Sequence, residues 1–285
     1  MAGGGAAVAV VCGGGSFPVA VADSLLRQGR RPVMFAVRGW AEPKDIERYA
    51  HHWIAIGQLG RFLRLARAEH CEEAVLIGTM LRPPLRQLRL DWETVRSMPR
   101  IVRTFRGGDD WLLSGVAQYM EENGLRVIGV GDAAPEIMVP EGVLGRFRPS
   151  QSDWEDIRHA LALIAALGPF DVGQAVIVAA NNVLAVEAAE GTDNLLSRLA
   201  DLRRQGRVTT PAGIGVLVKA PKPGQDRRLD LPAIGPRTIE NLARAGLAGI
   251  ADAAGSAIIA EADQVVAAAD REKIFVVGVR EDENQ

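Results

Sequence analysis

The chain has 285 residues, is 48% apolar and 24% charged, and carries a formal net charge of −2. That length suits two ordinary domains with real hydrophobic cores, and the near-neutral charge argues against a generic nucleic-acid binder. Only Cys12 and Cys71 are present, which speaks against a disulfide framework and suits a reducing cytoplasm. The N-terminal stretch lacks the basic start of a signal peptide, and no run reaches the roughly 20 apolar residues of a membrane span, so export is not expected.

In chain order, the first half alternates strands and helices. Ala6 to Cys12 reads as a buried strand, Gly13-Gly14-Gly15 as a turn, Val19 to Gln28 as a helix and Pro32 to Val37 as a second strand. The pattern repeats with a strand from Trp53 to Gly57, a helix from Leu59 to Glu69 and a strand from Ala74 to Gly78. Short apolar strands separated by helices predict a parallel sheet covered by helices, with ligands beyond the carboxyl ends of the strands. That rim carries Gly13 to Ser16 and Gly78-Thr79-Met80. The turn begins like a dinucleotide fingerprint. However, Pro18 takes the third glycine position, and the second strand ends at Arg38 where a ribose-gripping acid belongs, so a nucleotide-dependent oxidoreductase is disfavoured. A glycine turn feeding a helix still offers backbone donors to a phosphate, and Ser16 adds a hydroxyl; the plain alternative is a tight strand-to-helix turn.

Between Arg82 and Arg106 lie Arg82, Arg86, Arg89, Arg96, Arg100, Arg103 and Arg106, interleaved with Leu85, Leu88, Leu90, Trp92 and Val95. Such a mixture fits an anionic amphiphile or a membrane surface, and equally a solvated helix face. Gly107-Gly108 breaks the chain before a helix starting near Trp111, with Asp109 or Asp110 as its N-cap. A strand is expected from Arg126 to Gly131, and the segment Val139 to Pro149 reads as an inter-domain connection. The expected organisation is an N-terminal domain over residues 1–138, a linker over 139–150 and a C-terminal domain over 151–285.

The second half opens with a helix from Ser152 to Leu167, then Asp171-Val-Gly-Gln174 and a long apolar β-like run from Ala175 to Ala188. Glu190-Gly191-Thr192-Asp193 closes it, with Thr192 or Asp193 as the cap of a helix carrying Leu195, Leu196, Leu199 and Leu202; the same N-terminus would point donors at a bound phosphate. A strand from Ile214 to Val218 leads into Lys219. A helix from Arg237 to Ala245, a strand from Ala257 to Ala260, a helix from Ala262 to Ala269 and a strand from Ile274 to Val279 complete a compact unit. The fold class expected is therefore α/β: a Rossmann-like parallel-sheet domain and a C-terminal α/β hydrolase-type domain, joined by the linker.

The densest chemistry lies in Lys219-Ala-Pro-Lys-Pro-Gly-Gln-Asp-Arg-Arg-Leu-Asp230-Leu-Pro-Ala-Ile-Gly235. Pro221, Pro223 and Pro232 forbid a helix and favour extended geometry, which would put Asp226, Arg228 and Asp230 on one face. Carboxylates set among cations suit a divalent metal or an activated water, and the cations suit phosphate oxygens. The plain alternative is a solvated charged turn. His51, His52, His70 and His159 lack metal-ligand spacing, so zinc is not expected. Neither cysteine sits in a catalytic frame, and Ser16 is not in a nucleophile elbow.

Gly13-Gly14-Gly15-x-x-Pro18, Arg106-Gly-x-Asp-Asp110, Asp171-Val-Gly-Gln174, Ala185-Val-Glu-Ala-x-Glu-Gly-Thr-Asp193, Lys219-Ala-Pro-Lys-Pro-x-Gln225 and Asp230-Leu-Pro-x-Ile-Gly235 follow one another in this order. Together they resemble the LpxI family of UDP-2,3-diacylglucosamine pyrophosphatases over essentially the whole chain. The resemblance implies hydrolysis of UDP-2,3-diacylglucosamine to UMP and 2,3-diacylglucosamine 1-phosphate (lipid X), a step of lipid A biosynthesis, with water attacking the β-phosphorus. It further implies a divalent cation such as Mg²⁺, a homodimer and an essential aspartate at Asp230. A lipid substrate for a chain without a membrane span suggests a cytoplasmic enzyme in peripheral contact with the inner membrane. Asp230 is the expected metal ligand or water-orienting base. Lys219 and Lys222 are candidates for phosphate neutralisation, Gly191, Thr192 and Asp193 for the diphosphate or sugar, and Gln174 for a polar substrate contact. Gly14, Gly15, Ser16 and Thr79 are the expected contributors from the first domain. The rival reading is a non-catalytic nucleotide-sugar or lipid-binding protein.

Overall fold

The computed structural model describes residues 6–80, 89–103, 109–170 and 172–280, with the backbone alone for residues 98–103 and 109–112. The chain divides into two compact units: residues 1–136 with Asp226–Asp230, and Ile137–Gln225 with Leu231–Gln285. Arg82, Arg86, Arg106, Gly107, Gly108 and Asp171 lie outside the described residues.

In the first unit, β1 (Ala7–Cys12), β2 (Arg31–Val37), β3 (Ala50–Ile54), β4 (Cys71–Ile77) and β5 (Arg126–Val127) form a sheet in the order β3-β2-β1-β4-β5. Every pairing in it is parallel. The order reverses direction between β1 and β4, which is where such sheets open a crevice beyond their strand ends. Val8, Ala9 and Val10 are fully buried, as expected of a central strand covered on both faces. Helices α1 (Phe17–Arg27), α2 (Pro43–Ile46), α3 (Leu59–Ala68), α4 (Trp92–Arg103), α5 (Asp109–Glu122) and α6 (Val130–Ala133) belong to this unit. Pro18 in the first turn of α1 is compatible with the helix because the missing N–H would have no partner there. Phe62 of α3 meets Phe35 of β2 edge-on, with ring centroids 4.8 Å apart, inside the apolar cluster that also holds Leu59, Leu63 and Ala66.

Several expected boundaries move. The third strand begins at Ala50 instead of Trp53, because an edge strand half open to solvent accommodates His51 and His52. The fifth strand ends at Val127; Gly129 then caps α6, its N–H donating to the Asp132 carboxylate at 3.2 Å. Helix α5 begins at Asp109, so Asp109 and Asp110 both lie in its first turn.

The second unit has a mixed sheet. Its strands are β6 (Gly142–Leu144), β7 (Ala175–Ala179), β8 (Asn182–Val186), β9 (Val216–Lys219), β11 (Gly249–Ala253) and β13 (Phe275–Val279), in the order β6-β13-β11-β9-β7-β8. The trio β13-β11-β9 is parallel, while β6, β7 and β8 join it antiparallel. Two short strands, β10 (Ala233–Ile234) and β12 (Ile258–Ile259), pair separately. Helices α8 (Gly191–Arg204), α9 (Pro236–Ala245) and α10 (Ala262–Glu272) supply Leu195, Leu199, Ile239, Leu242 and Val265 to the cluster on one face. Helix α7 (Gln151–Leu167) supplies Ile157, Leu161 and Ile164 to the cluster on the other. Ser150 caps α7 by accepting the Asp153 amide at 3.3 Å, and Asp153 accepts the Ser150 N–H in return.

Residues 142–144, read from the sequence as part of a connection, form the β6 edge strand against β13. The expected single run from Ala175 to Ala188 is a hairpin. Ala180 and Asn181 both have positive φ, 49° and 62°, as a two-residue turn of the primed kind requires. Asp156, buried at 2% exposure, pins that turn by accepting the amides of Ala180 and Asn181 at 3.0 and 2.7 Å. The expected Ala257–Ala260 strand shortens to Ile258–Ile259. Strand β11 has no counterpart in the sequence reading, because its Gly-Ile-Ala-Asp-Ala sequence has weak strand propensity and a charge in the middle.

Candidate functional site

Lys219 is the last residue of β9, and only 6% of it is exposed. Its Nζ donates to the Ala233 carbonyl at 2.7 Å. The chain then turns over Pro223-Gly224, where Gly224 takes a φ of 82° that favours glycine. The Lys222 N–H donates to Gln225 Oε1 at 3.0 Å, and the Gln225 N–H donates back to the Lys222 carbonyl at 3.1 Å. This part of the loop is therefore shaped as the prolines suggested, without a helix.

The next five residues depart from expectation. Asp226, Arg228 and Asp230 do not alternate along an extended face, because residues 227–229 turn. The Leu229 N–H reaches the Asp226 carbonyl at 3.0 Å, and the Arg228 N–H bonds Asp226 Oδ1 at 3.0 Å. The Arg228 guanidinium grips the same carboxylate with Nε and Nη2, at 3.0 and 2.8 Å. It also reaches Glu121 at 2.7 Å and the Val127 carbonyl at 3.2 Å, while Leu229 packs on the first unit's core. Those contacts explain why residues 226–230 group with the first unit. Arg228 holds the Asp226 carboxyl below the usual carboxylate range, and Asp226 and Glu121 hold the guanidinium charged. Asp226 is thus a structural partner of Arg228.

In the second unit, Glu187 gathers three separate stretches of sequence. It is 8% exposed; its Oε2 accepts the Gln174 N–H at 2.8 Å and its Oε1 accepts the Thr192 hydroxyl at 2.7 Å. The Glu187 N–H bonds the Ala175 carbonyl, and the Gln174 carbonyl accepts the Ala220 N–H at 3.1 Å, next to Lys219. Gln174, Thr192 and the root of the lysine loop are therefore tied to one buried acid that the sequence reading did not single out. Its signal was an acid closing an otherwise apolar strand.

The helix expected to be capped by Thr192 or Asp193 starts earlier, with Glu190 at the cap position and Gly191 as its first residue. Gly191 has a φ of 76°, which favours glycine, and nothing lies within 4 Å of where a side chain would begin. Thr192 is turned to Glu187 instead of capping, and Asp193 accepts from Asn241 at 2.8 Å and pairs with Arg237 at 3.3 Å.

In the first unit the glycine turn is locked to the end of β4. The Gly14 N–H donates to the Thr79 carbonyl at 3.0 Å, the Thr79 N–H returns to Gly14 at 2.9 Å, and the Gly13 N–H is taken by Ile77. A Cβ on Gly13 would sit 2.6 Å from the Thr79 carbonyl, so close approach accounts for that glycine. The amides of Gly13 and Gly14 are consequently committed, and donors for a ligand fall to Gly15, Ser16 and the first turn of α1. A shallow cleft of about 410 Å³ lies beyond β2, lined by Arg38, Gly39, Ala41, Pro43, Glu47 and Trp53.

Among the described residues, no three His, Cys, Asp or Glu side chains converge to hold a metal ion. His52 pairs with Glu69 at 2.9 Å and His159 with Asn181 at 2.8 Å. Burial pushes the Cys12 thiol up to about 12 and the Cys71 thiol up to about 11, which removes both as nucleophiles. No described helix is long and apolar enough to cross a membrane.

Comparison with known proteins places both halves. The family model for the LpxI N-terminal domain matches residues 7–137, and that for the LpxI C-terminal domain matches residues 140–277. A relative named UDP-2,3-diacylglucosamine pyrophosphatase LpxI, from Caulobacter vibrioides, is 38% identical over 270 residues, covering 95% of this chain and 96% of its own. Among solved structures, the biotin carboxylase domain of 2-oxoglutarate carboxylase from Hydrogenobacter thermophilus aligns at 12% identity with a TM-score of 0.23. The alignment covers 74% of this chain and 43% of that one, and at that score the likeness carries no argument.

Proposed function

Because this chain belongs to the LpxI family, we propose that it hydrolyses the pyrophosphate bond of UDP-2,3-diacylglucosamine to UMP and 2,3-diacylglucosamine 1-phosphate, in lipid A biosynthesis. The observation that carries this reading is collinear identity along 95% of the chain with a relative of that name. In the proposed reaction a water oxygen bonds to the β-phosphorus, and the bond from that phosphorus to the bridging oxygen breaks. The bridging oxygen leaves on UMP. On this reading the second unit is a hydrolase-type α/β domain whose mixed sheet ends β9 on Lys219 and leads into the loop that carries Lys222.

We further propose a divalent cation such as Mg²⁺, with Asp230 as its protein ligand or as the base that orients the water. Such a hard cation takes one or two carboxylates and completes its shell with phosphate and water. When bound, such an ion neutralises charge developing on the non-bridging oxygens. Lys219 and Lys222 supply fixed cations to the same oxygens. Thr192 has given its only hydroxyl proton to Glu187, so towards substrate it offers a lone pair, suited to a sugar hydroxyl and not to a phosphate oxygen. Gln174, Gly191 and Asp193 complete the contacts proposed there; in the first unit Gly15 and Ser16 are the proposed donors, with Gly14 and Thr79 holding the turn that presents them.

A lipid substrate calls for access to a membrane surface. Leu90, Trp92 and Val95 are exposed at 48%, 77% and 45%, and Arg89 and Arg96 beside them are exposed as well. This combination supports peripheral contact with the anionic inner membrane, and a homodimer in the cytoplasm is proposed with it. The test is product formation by the purified chain with and without Mg²⁺, beside an Asp230→Ala variant. The reading expects that variant to bind substrate and yield no UMP. Full turnover by the variant, or no product from the parent chain, would overturn it.

A further inference from the structure

Asp252 is fully buried in β11, and among the described residues neither of its carboxylate oxygens has a hydrogen-bond partner. A carboxylate in that condition is costly, so a fold that keeps one calls for a reason. Its place in the sheet supplies one. Asp252 stands in register with Lys219 on the neighbouring parallel strand, and with Gly278 on the other side.

Strand alternation sets both side chains on the same face. Ile250 and Leu217, two residues earlier on each strand, belong to the cluster beneath α8, α9 and α10, while Ala251 and Val218 belong to the opposite cluster. Most of that face is apolar: β10 contributes Ile234, β12 contributes Ile259, and the helices contribute Leu196, Ile239, Leu242 and Val265. The other buried acid on it is Glu187, opposite Ala175, the residue in register with Lys219, and its two carboxylate oxygens already accept the Gln174 amide and the Thr192 hydroxyl. Lys219 is the charged group that acts on Asp252, and burial raises its carboxyl to about 7 against that attraction. For its part, Lys219 is an almost fully buried ammonium whose one hydrogen bond among the described residues goes to a neutral carbonyl. A buried charge with only a neutral partner is costly, and a carboxylate facing it offsets that cost.

We propose that Asp252 is a positioning residue for Lys219, supplying from the adjacent strand the counter-charge that faces this buried ammonium at the carboxyl end of the sheet. The inference rests on the phosphate role proposed for Lys219 and adds the buried acid that holds its ammonium in place.

The lysines of this chain are Lys44, Lys219, Lys222 and Lys273, few enough for each side-chain signal to be followed by NMR, with Lys219→Arg identifying the one of interest. The expected result is that Asp252→Asn lowers the titration point of Lys219. The alkaline limb of the kcat/KM profile for UDP-2,3-diacylglucosamine should move down by the same amount, and Asp252→Glu should restore it. If Asp252→Asn does not fold, Asp252→Ser removes the same charge with a smaller side chain. An unchanged Lys219 titration overturns the proposal, as does a shifted titration with an unmoved alkaline limb. Failure of the phosphate reading looks different: Lys219→Ala would then hydrolyse the substrate at the parent rate, while the titration would still report whether Asp252 holds the lysine's charge.

Discussion

Thr192 donates its hydroxyl proton to Glu187 across 2.7 Å, and the same carboxylate receives the Gln174 amide at 2.8 Å. One buried acid thereby fixes the helix start at Gly191 and the strand entry at Gln174, two stretches separated by the whole β7–β8 hairpin. Glu187→Ala leaves both donors without their acceptor, and the expected loss of stability is about 1–3 kcal/mol per unsatisfied group. Thr192→Ser retains the donor and should unfold with the parent. Urea denaturation checks both; a Glu187→Ala variant as stable as the parent would contradict the role given to this acid.

Gly173 is held close to that acid. It takes a φ of 37°, and a Cβ there would lie 2.2 Å from the Glu187 carbonyl oxygen. Gly173→Ala should therefore destabilise the second unit by more than about 1 kcal/mol, since the new methyl meets backbone that cannot step aside. Thermal unfolding at matched concentration reads the effect.

Two aspartates give stability dependences on pH of opposite sign. Asp226 is held below its ordinary value by Arg228, so the stability it contributes is present above the unfolded carboxylate value, about 4, and is lost as pH falls through the lower folded value. Asp252 is raised by burial to about 7, so its contribution is full below about 4 and is lost as pH rises through about 7. Melting temperatures of Asp226→Asn should lose the acid-side decline, and those of Asp252→Asn the decline toward neutral pH. A parent-like profile for either variant would contradict its assignment.

The apolar trio Leu90, Trp92 and Val95 with Arg89 and Arg96 gives a binding prediction. Arg96→Glu should weaken partition onto vesicles containing anionic lipid about fivefold or more, since each basic residue near such a surface contributes about 1 kcal/mol. Trp92→Ala should weaken it as well, and added salt should act in the same direction as the charge change. Sedimentation with vesicles measures it; equal binding to neutral and anionic vesicles would count against the patch.

The first unit was largely legible in the sequence because its strands are buried on both faces and read as continuous apolar runs, from Ala7–Cys12 to Cys71–Ile77. The second was less so. Its hairpin turns on Ala180-Asn181 without a glycine, and what holds the turn is Asp156, remote in sequence. Strand β11 carries Asp252 at a position that looks solvated in one dimension and is fully enclosed in three. Among the site candidates, Lys219 stood out from its proline-rich setting. Glu187 and Asp252 did not, since each owes its role to partners brought in by tertiary structure. The alternation read into Asp226, Arg228 and Asp230 failed because Arg228 closes a turn onto Asp226, a local bond stronger than the preference for extended backbone.

Hydrolysis at the β-phosphorus is the central claim, and water enriched in heavy oxygen tests it most directly. The purified chain would be incubated with UDP-2,3-diacylglucosamine and Mg²⁺ in that water, and both products weighed by mass spectrometry. Label in 2,3-diacylglucosamine 1-phosphate, with unlabelled UMP, is the predicted result. Label in UMP would contradict the direction of attack, and the absence of either product would contradict the proposed reaction itself.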